Sequence, residues 1–290
     1  MRRAEEGLLM LTCTLSQSVV PLTAVEYRLL MQRLSTTPMP PQEGEVTAEF
    51  LRSLGYSPTG AQRIIRLLER DDALKAYLSQ PDLSVVTQLD RQFPQRLRRL
   101  KHHCPTALFC KGDISLFSTP CISLVGSRRL PLRSERFAQK IGTMAAQEGF
   151  TLVSGGAEGA DLAAQNACLA AGGRVICFVP DALCRRSVQK NTLFCSDEGW
   201  DFTFSAARAL RRNHYIHALG EKVIVAHCEH PHGGTWSGTS YNLQHRLSPV
   251  FLLDADTEGS RVLGAMGGVF IDESIASLAD LLPSQLSIFD

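Results

Sequence analysis

Long hydrophobic runs are missing from this 290-residue chain. No apolar stretch approaches the roughly 18–20 residues that a membrane span requires. The apolar run at 7–13 is short and soon broken by polar residues, so it does not make a convincing signal peptide. We therefore expect a cytoplasmic protein with no membrane partner, in which the nine cysteines are mostly reduced. No C-x-x-C pair is present, which argues against a zinc ribbon or a thioredoxin-like site.

An excess of charge of one sign is missing too. The 30 Lys and Arg residues and the 29 Asp and Glu residues give a formal net charge of +1. Such a balance normally argues against a nucleic-acid partner, but binding depends on local charge rather than on the sum. Basic residues gather at 91–101, 128–140, 185–190 and 208–212. We therefore expect the net charge to be near zero but the positive charge to be concentrated on one part of the surface. Three of these four segments should lie on that binding surface.

The first 80 residues have the pattern of helices. The periodic segments are 22–34, 47–54 and 57–68. Gly55-Tyr56 joins the last two, and Ser57-Pro58 supplies a polar N-cap followed by proline in the first turn. Two short helices joined through a glycine resemble a helix-hairpin-helix or SAM-like unit, and a small helical cap that only packs is the alternative. Residues 81–118 follow as a basic connector, which we expect to be a solvated face.

From residue 119 to residue 280 the pattern alternates between strands and helices. The predicted strands are 121–125, 151–153, 174–179, 222–226, 250–253 and 269–271. The predicted helices are 134–148, 160–171, 205–219 and 239–246. Near-continuous apolar strands that alternate with helices specify a parallel sheet covered on both faces. We therefore predict an α/β fold with a Rossmann-like core, a small helical N-terminal domain, and a tail at 281–290.

Three strand-to-helix turns of this core are suited to anion binding. They contain Gly126, Ser127, Arg128 and Arg129 in the first, Ser154, Gly155 and Gly156 in the second, and Gly233, Gly234 and Thr235 in the third. Glycines let a phosphate approach the backbone, and arginines supply charge and a bidentate fork. Ligands of parallel sheets bind at the carboxyl ends of the strands, so we expect the three turns to converge. Ordinary strand-to-helix turns are the alternative.

The glycine patterns do not match the common nucleotide motifs. None is G-x-G-x-x-G or G-x-x-x-x-G-K-[ST], so NAD binding and ATPase activity are both disfavoured, and we expect no cofactor. Asp161 falls in the first turn of the helix after the second glycine turn. There it can cap backbone N–H groups or accept a hydrogen bond from a ribose or a loop.

An ordered set of motifs resembles one known family. The motifs are Phe93-Pro94-x-x-Leu97, Val125-Gly126-Ser127-Arg128, Ser154-Gly155-Gly156-Ala157-Glu158-Gly159-Ala160-Asp161, Lys190-Asn191-x-x-Phe194 and Arg212-Asn213. Together they resemble the DNA-processing protein A (DprA, or Smf) family over roughly residues 88–272. The resemblance implies a Rossmann-like core that binds and protects single-stranded DNA and helps to load a recombinase.

The same resemblance implies roles for particular residues. Gly126, Ser127 and Arg128 match the family's phosphate-binding turn. Lys190 and Asn191 match its Lys-Asn segment, and Phe194 matches an aromatic placed to stack on a base. The pair Arg212-Asn213 matches its Arg-Asn helix. If Arg128 and Lys190 pair with phosphates and about three phosphates are neutralised, the salt slope of binding is about −2.

The chain also departs from the family pattern. Pro131 and Ser134 stand where the G-S-R turn usually continues into Ser and Gly, and Gln165 stands where a His is usual. The third glycine turn is longer than its family counterpart and is similar to the P-G-G-x-G-T loop of the LOG phosphoribohydrolases. Many family members end in a winged helix, for which this chain stops too soon. We therefore expect a divergent or shortened relative.

Two smaller features suggest further partners. His227, His230 and His232 lie close together in sequence, but their spacing favours a loop that lines the pocket over a metal site, so we expect no metal. The end of the chain, with Gln285, Leu286, Ile288 and Phe289, resembles the Q-L-x-L-F peptide that docks on the DNA polymerase sliding clamp. A tail that packs on its own sheet or frays is the alternative.

We therefore predict a non-enzymatic protein that binds single-stranded DNA, with a recombinase and the sliding clamp as candidate partners. The helical N-terminal domain can mediate a homodimer or a partner contact. No nucleophile–base pair and no paired carboxylates are placed by a motif, so we expect no catalytic residues. A nucleotide-binding sensor, or a nucleoside-phosphate hydrolase that uses Glu158 or Asp161, is the alternative on the same turns. A pure adaptor that acts through the tail is a third hypothesis.

Overall fold

A nine-stranded sheet forms the centre of the protein. The computed structural model describes residues 3–15, 19–37, 46–198, 200–229, 232–253 and 257–282. The strands are β1 (Leu83–Thr87), β2 (Ala107–Lys111), β3 (Cys121–Val125), β4 (Thr151–Ser154), β5 (Arg174–Phe178), β6 (Thr192–Ser196), β7 (Lys222–Val225), β8 (Val250–Leu253) and β9 (Val269–Ile271). Their order across the sheet is β1-β2-β6-β5-β4-β3-β7-β8-β9. The seven strands from β6 to β9 in this order are parallel, which confirms the predicted α/β class.

Helices cover both faces of the sheet. They are α1 (Arg3–Thr12), α2 (Ala24–Ser35), α3 (Ala48–Ser53), α4 (Pro58–Leu68), α5 (Asp71–Leu78), α6 (Leu132–Gln147), α7 (Ala160–Ala170), α8 (Ala206–Leu219), α9 (Gly234–His245) and α10 (Glu258–Ala265). Short 3-10 segments occupy Gln95–His103, Ile114–Ser118 and Leu183–Arg185. None of the helices in the described ranges is long and apolar enough to cross a membrane.

The strands alternate between two hydrophobic cores because successive side chains of a strand point to opposite faces. In β3, Ile122 and Leu124 join the core under α6 and α7, where Phe137 is buried. Cys121 and Val125 join the opposite core, where Tyr215 of α8 is buried. Every residue of β3 is buried, as the unbroken apolar run predicts for a strand covered on both faces.

Residues 81–118 are not a connector, which corrects the sequence prediction. β1 pairs antiparallel with β2, and β2 pairs antiparallel with β6, so this segment extends the sheet. Arg91, Arg98 and Arg99 are exposed, as expected for a solvated face, whereas Arg96 is half-buried. Arg96 donates to the carbonyls of Ala218 and Gly220 at 3.2 and 2.7 Å, and Arg99 donates to that of Leu247 at 2.7 Å. Carbonyls at helix C-termini lack intrahelical partners and attract such cations.

The N-terminal helices divide between two hydrophobic cores. Leu30 of α2, Leu51 of α3 and Ile64 of α4 lie in a small core of their own. Leu9 of α1 and Leu74 of α5 lie instead in the core of the sheet. Helix α5 therefore belongs physically to the α/β body, whereas α1 joins the two cores because its Leu11 lies in the small one. The described residues before β1 do not pack as one separate unit.

The predicted N-cap of α4 is correct, whereas α2 begins at Ala24, two residues after the start of the predicted periodic segment. The Ser57 hydroxyl accepts a hydrogen bond from the Gly60 amide, and Pro58 is the first residue of α4. Thr23 and Glu26 form a capping box at the start of α2. Gly55, between α3 and α4, has a φ of +86°, a conformation that glycine adopts without strain.

The last described segment is fixed at the amino end of the sheet. The Glu148 carboxylate, at the end of α6, accepts hydrogen bonds from the amides of Leu278 and Ala279. Lys222, the first residue of β7, donates to the carbonyls of the same two residues at 2.7 Å. The clamp-like residues Gln285, Leu286, Ile288 and Phe289 lie outside the described residues.

Candidate nucleic-acid interface

Three loops at the carboxyl edge of the sheet form the candidate site, which we call the rim. It comprises residues 126–131, 155–159, 226–229 and 232–233. These loops follow β3, β4 and β7, which are adjacent in the sheet order β4-β3-β7. The chain runs from β3 to β4 on one side and returns to β7 on the other, so the rim is a topological switch point. Ligands of open parallel sheets bind at such points.

The first turn contacts both of the others. The Ser127 amide donates to the carbonyl of His227 at 3.1 Å, and the Ala160 amide donates to the carbonyl of Ser127 at 3.4 Å. A Cβ on Gly126 would overlap the Cβ of Ala160, so the close approach of the loop to α7 requires glycine. The three turns are therefore one connected surface.

Three helices begin at the rim without a side-chain cap. The N-cap residues are Pro131 for α6, Gly159 for α7 and Gly233 for α9, and none of these side chains accepts an N-terminal amide. In contrast, Ser or Thr hydroxyls cap α2, α3, α4, α8 and α10. An uncapped N-terminus carries partial positive charge and attracts anions. The positive ends of three helices therefore lie at one edge, but loop carbonyls already accept the Ala160 and Leu162 amides of α7, which leaves α6 and α9 as the ends suited to an anion.

The second turn is held from inside by a buried carboxylate. Asp161 accepts the Gly155 amide at 3.0 Å and the Ala157 amide at 3.5 Å. Burial raises the pKa of Asp161, and the nearby Arg212 partly opposes that shift. These two hydrogen bonds hold the loop in place. The structure therefore shows Asp161 in one of its predicted roles, as an acceptor for backbone N–H groups. Gln165 donates to the Ser154 hydroxyl at 2.6 Å.

Arg212 and Asn213 position the rim from α8. Arg212 is buried, and its Nη1 donates to the carbonyl of Phe178 at 3.1 Å. Asn213 donates through Nδ2 to the carbonyl of Gly234 at 3.0 Å and so ties α8 to the start of α9. Both residues reach the rim from behind the loops rather than from the solvent side.

The accessible positive charge is in the first turn. Arg128 and Arg129 are exposed, and no carboxylate of the described residues forms an ion pair with either. The segment 208–212 behaves differently, because Arg208 pairs with Glu198 and Arg211 pairs with Asp197 and Glu198. Carboxylates therefore offset the positive charge of Arg208 and Arg211.

The third glycine turn is open to solvent. Gly233 is exposed, with a φ of +101°, and nothing lies within 4 Å of where its Cβ would be. Gly234 and Thr235, in the first turn of α9, are half-buried. Gly156 of the second turn is also exposed. Exposed backbone of this kind leaves room for a phosphate group at the rim.

Lys190, Asn191 and Phe194 do not join the rim, which corrects the sequence prediction. Lys190 and Asn191 precede β6, which is parallel to β5, so they lie at the amino edge of the sheet. Phe194 lies within β6 and is only 7% exposed in the core. Its ring cannot stack on a nucleobase from there. The sequence did not reveal that this segment was a strand.

Sequence reasoning missed another aromatic residue at the carboxyl edge. Phe204 lies between the carboxyl end of β6 and the start of α8 and is 55% exposed. Nearby, the Arg208 guanidinium lies over the ring of Phe202, 4.7 Å from its centroid. The pattern Phe-x-Phe before a helix was visible in the sequence, but its exposure was not. Phe204 is thus an exposed aromatic at the carboxyl edge, whereas Phe194 is buried in the core.

The histidines of the third loop do not form a metal site in the described residues. His227 is buried, burial lowers its pKa, and its Nδ1 has no partner. His232 is exposed, and His230 lies outside the described residues. In the described ranges, no group of three His, Cys, Asp or Glu side chains is arranged to hold a metal ion.

A family profile described as DNA recombination-mediator protein A matches residues 84–270, more than half of the chain. DNA processing protein DprA from Streptococcus pneumoniae is 31% identical over 120 residues. That match covers 41% of this chain and 41% of the relative, so it spans about two fifths of each.

Two solved structures are similar over more of the chain. The structure of DprA from Streptococcus pneumoniae superposes with a TM-score of 0.70 at 22% identity, covering 92% of this chain and 93% of that one. A structure describing the single-stranded DNA binding mode of DNA processing protein A from Helicobacter pylori gives a TM-score of 0.58 at 25% identity. It covers 65% of this chain and 90% of that one. The similarity to the Streptococcus pneumoniae structure shows a shared fold. The Helicobacter pylori structure is of a protein described as binding single-stranded DNA.

Proposed function

The chain belongs to the DNA recombination-mediator protein A family, and from that premise we propose that it binds single-stranded DNA along the rim. The family is shown by the match over residues 84–270. The Helicobacter pylori relative is described as binding single-stranded DNA. The rim supplies a physical reason why the same ligand fits this chain.

The observation that carries the proposal is the presence of two helix N-termini without side-chain caps, those of α6 and α9, on the edge that holds Arg128 and Arg129. Phosphate is the ligand suited to helix N-termini and arginine forks. A strand that follows the sheet order passes from the turn at Gly233 to Arg128 and then toward Phe204. Adjacent strands are about 4.8 Å apart, so the four steps from β7 to β6 cover about 19 Å. A polymer, rather than one nucleotide, matches a line of sites of this length.

The proposal is for a binding protein rather than an enzyme. Asp161, which the hydrolase alternative would use as an acid or base, is buried and accepts hydrogen bonds from two amides of its own loop. Glu158 is exposed, and no base or nucleophile was predicted beside it. Loading of a recombinase, homodimer formation and docking on the sliding clamp remain predictions.

Fluorescence anisotropy with labelled oligothymidine at about 50 mM salt tests the proposal. We expect saturable binding that weakens as salt rises, and little displacement by a nucleoside monophosphate at the same total nucleotide concentration. Absence of binding would overturn the proposal. Full displacement by the monophosphate would favour the nucleotide-binding alternative instead.

A further inference from the structure

A stack of aromatic rings outside the rim is not explained by the proposed site. Its members, which we call the ring stack, are His102, His103, His214, Tyr241 and His245. The rings of His214 and Tyr241 are parallel within 15°, with centroids 3.8 Å apart. The ring of His245 follows at 4.0 Å and 22° from Tyr241. The spacings are those of stacked aromatic rings in van der Waals contact.

The 3-10 segment Gln95–His103 supplies the other two rings. His103 meets the stack edge-on, with its centroid 5.9 Å from His214 and 6.0 Å from Tyr241. His102 lies 4.0 Å from His103. Lys101, just before them, has a φ of +54° and a ψ of −113°. A non-glycine residue in that conformation is strained, and strain of this kind concentrates at functional sites.

The ring stack is open to solvent. His102, His103 and His245 are exposed, whereas His214 and Tyr241 are half-buried. Tyr241 covers one face of the His245 imidazole, so a flat ligand can reach the opposite face. A nucleobase stacks on an aromatic side chain in this way, with little dependence on base identity.

The 3-10 segment, α8 and α9 carry no carboxylate, and Glu26 of α2, which also packs against the 3-10 segment, is paired with Arg63. The 3-10 segment contributes Lys101, His102 and His103, α8 contributes His214 and the buried His217, and α9 contributes His245, with Arg246 at its C-cap. Burial and then the neighbouring histidines lower the pKa of His103, and lower that of His214 to about 4. No carboxylate contributes to either shift. Bound phosphate would relieve this mutual repulsion.

The ring stack is continuous with the rim through two helices. His214 directly follows Asn213, which bonds the carbonyl of Gly234 at the start of α9. From Gly234, α9 runs away from the rim to His245. A strand that leaves the rim at the third glycine turn and follows α9 therefore arrives at the ring stack.

We propose that the ring stack is a second contact for single-stranded DNA, in which a base stacks on His245 and phosphates pair with Lys101, Arg246 and protonated imidazoles. This inference rests on the proposed function, because it extends the path of the same strand beyond the rim. It predicts that long oligonucleotides use both surfaces and that short ones use the rim alone. It also predicts that binding of long oligonucleotides takes up protons.

The test compares oligothymidines of about 6 and about 16 nucleotides by anisotropy. We expect His245→Ala to weaken binding of the long oligonucleotide about fivefold or more, the equivalent of one lost stacking contact, without affecting the short one. His245→Phe keeps a stacking ring but cannot be protonated. Gln244→Ala, at an exposed neighbour on α9, is the matched control and should leave both affinities unchanged.

The second part of the test measures binding of the same oligonucleotides as the pH is lowered. Because the pKa values of His103 and His214 are lowered from 6.5, and phosphate favours the protonated imidazoles, the wild type should bind the long oligonucleotide more tightly as the pH falls below 6.5 toward about 4. Its salt slope should steepen by about 0.7 for each phosphate newly paired. The short oligonucleotide should show neither change.

The outcomes separate the two proposals. If neither oligonucleotide binds, the proposed function fails. If both bind but length, pH and the His245 variants make no difference, the rim stands and the ring stack is not a contact. If His245→Ala weakens both lengths equally and lowers the melting temperature, its effect is structural and the inference is overturned.

Discussion

The guanidinium of Arg212 lies directly against the backbone of Gly155. A Cβ at that position would overlap the Nη1 atom of the arginine. Arg212 is buried and donates to the carbonyl of Phe178, so it has little freedom to move aside. Glycine is required here by the close approach of a side chain, because Gly155 is not among the residues with a positive φ. The second turn of the rim and helix α8 are thereby fixed to each other.

The variant Gly155→Ala should therefore be less stable and should bind oligothymidine more weakly. Overpacking of a tightly packed site costs about 1–3 kcal/mol of unfolding free energy. Urea unfolding measures that loss, and anisotropy measures the accompanying loss of affinity. Gly7→Ala is the control, because nothing lies within 4 Å of that Cβ position. It should be neutral or slightly stabilising, since alanine favours a helix over glycine. An equally stable Gly155→Ala protein would contradict the packing argument.

Removing the exposed cations of the first turn should weaken DNA binding without affecting the fold. Arg128→Ala should flatten the dependence of log affinity on log salt by about 0.7, and the double variant with Arg129→Ala by about 1.4. Titrations at several salt concentrations give the slope. Arg52→Ala, at an exposed position of α3, is the matched control and should leave the slope unchanged. A double variant with the wild-type slope would exclude the first turn from the interface.

The two phenylalanines should behave in opposite ways. Phe194→Leu alters a core residue and should cost up to about 1.5 kcal/mol of stability, with unchanged affinity. Phe204→Ala alters an exposed residue and should change stability by less than about 0.5 kcal/mol. It should also lose about 1–3 kcal/mol of oligonucleotide binding, because a stacking platform is removed. If well-folded Phe194→Leu bound oligothymidine more weakly and Phe204→Ala bound it normally, Phe194 would be the stacking residue, as the sequence predicted.

Buried His217 should make the protein sensitive to acid. Burial lowers its pKa from 6.5 to about 3. Between these values the unfolded chain binds a proton at this residue and the folded chain does not, so falling pH favours unfolding. The loss is about 1.4 kcal/mol for each pH unit below 6.5, or about 2 kcal/mol at pH 5. Urea titrations across this range should show a shallower pH dependence in His217→Gln. Exposed His232→Gln should match the wild type.

The C-terminal peptide gives a prediction that is independent of DNA. If Gln285, Leu286, Ile288 and Phe289 dock on a sliding clamp, a pull-down with purified clamp should retain the wild type and lose Leu286→Ala/Phe289→Ala. The apolar side chains are the anchors of such a peptide, so their truncation should remove most of the affinity. Equal retention of both proteins, or of neither, would show that the motif is accidental.

Local patterns predicted most of the regular elements. The strand Cys121–Val125 and the cap of α4 at Ser57 were correct to the residue, because apolar runs and capping residues act over a few positions. Helix α9 begins at Gly234, five residues earlier than predicted, since glycine and threonine gave no periodic signal. β6 was not predicted because the segment from Lys190 to Phe194 resembles a binding motif, and its strand pattern is only five residues long.

The sequence by itself determined the α/β class, the family resemblance and the three turns of the rim. These follow from periodicity and from the order of short motifs, which depend only on residues close together in the sequence. Tertiary structure alone decided which charges are available to a ligand. It buried Arg212 beneath Gly155, paired Arg208 and Arg211 with carboxylates, and placed Lys190 at the opposite edge. The physical reason is that burial, ion pairing and strand direction depend on neighbours far away in sequence.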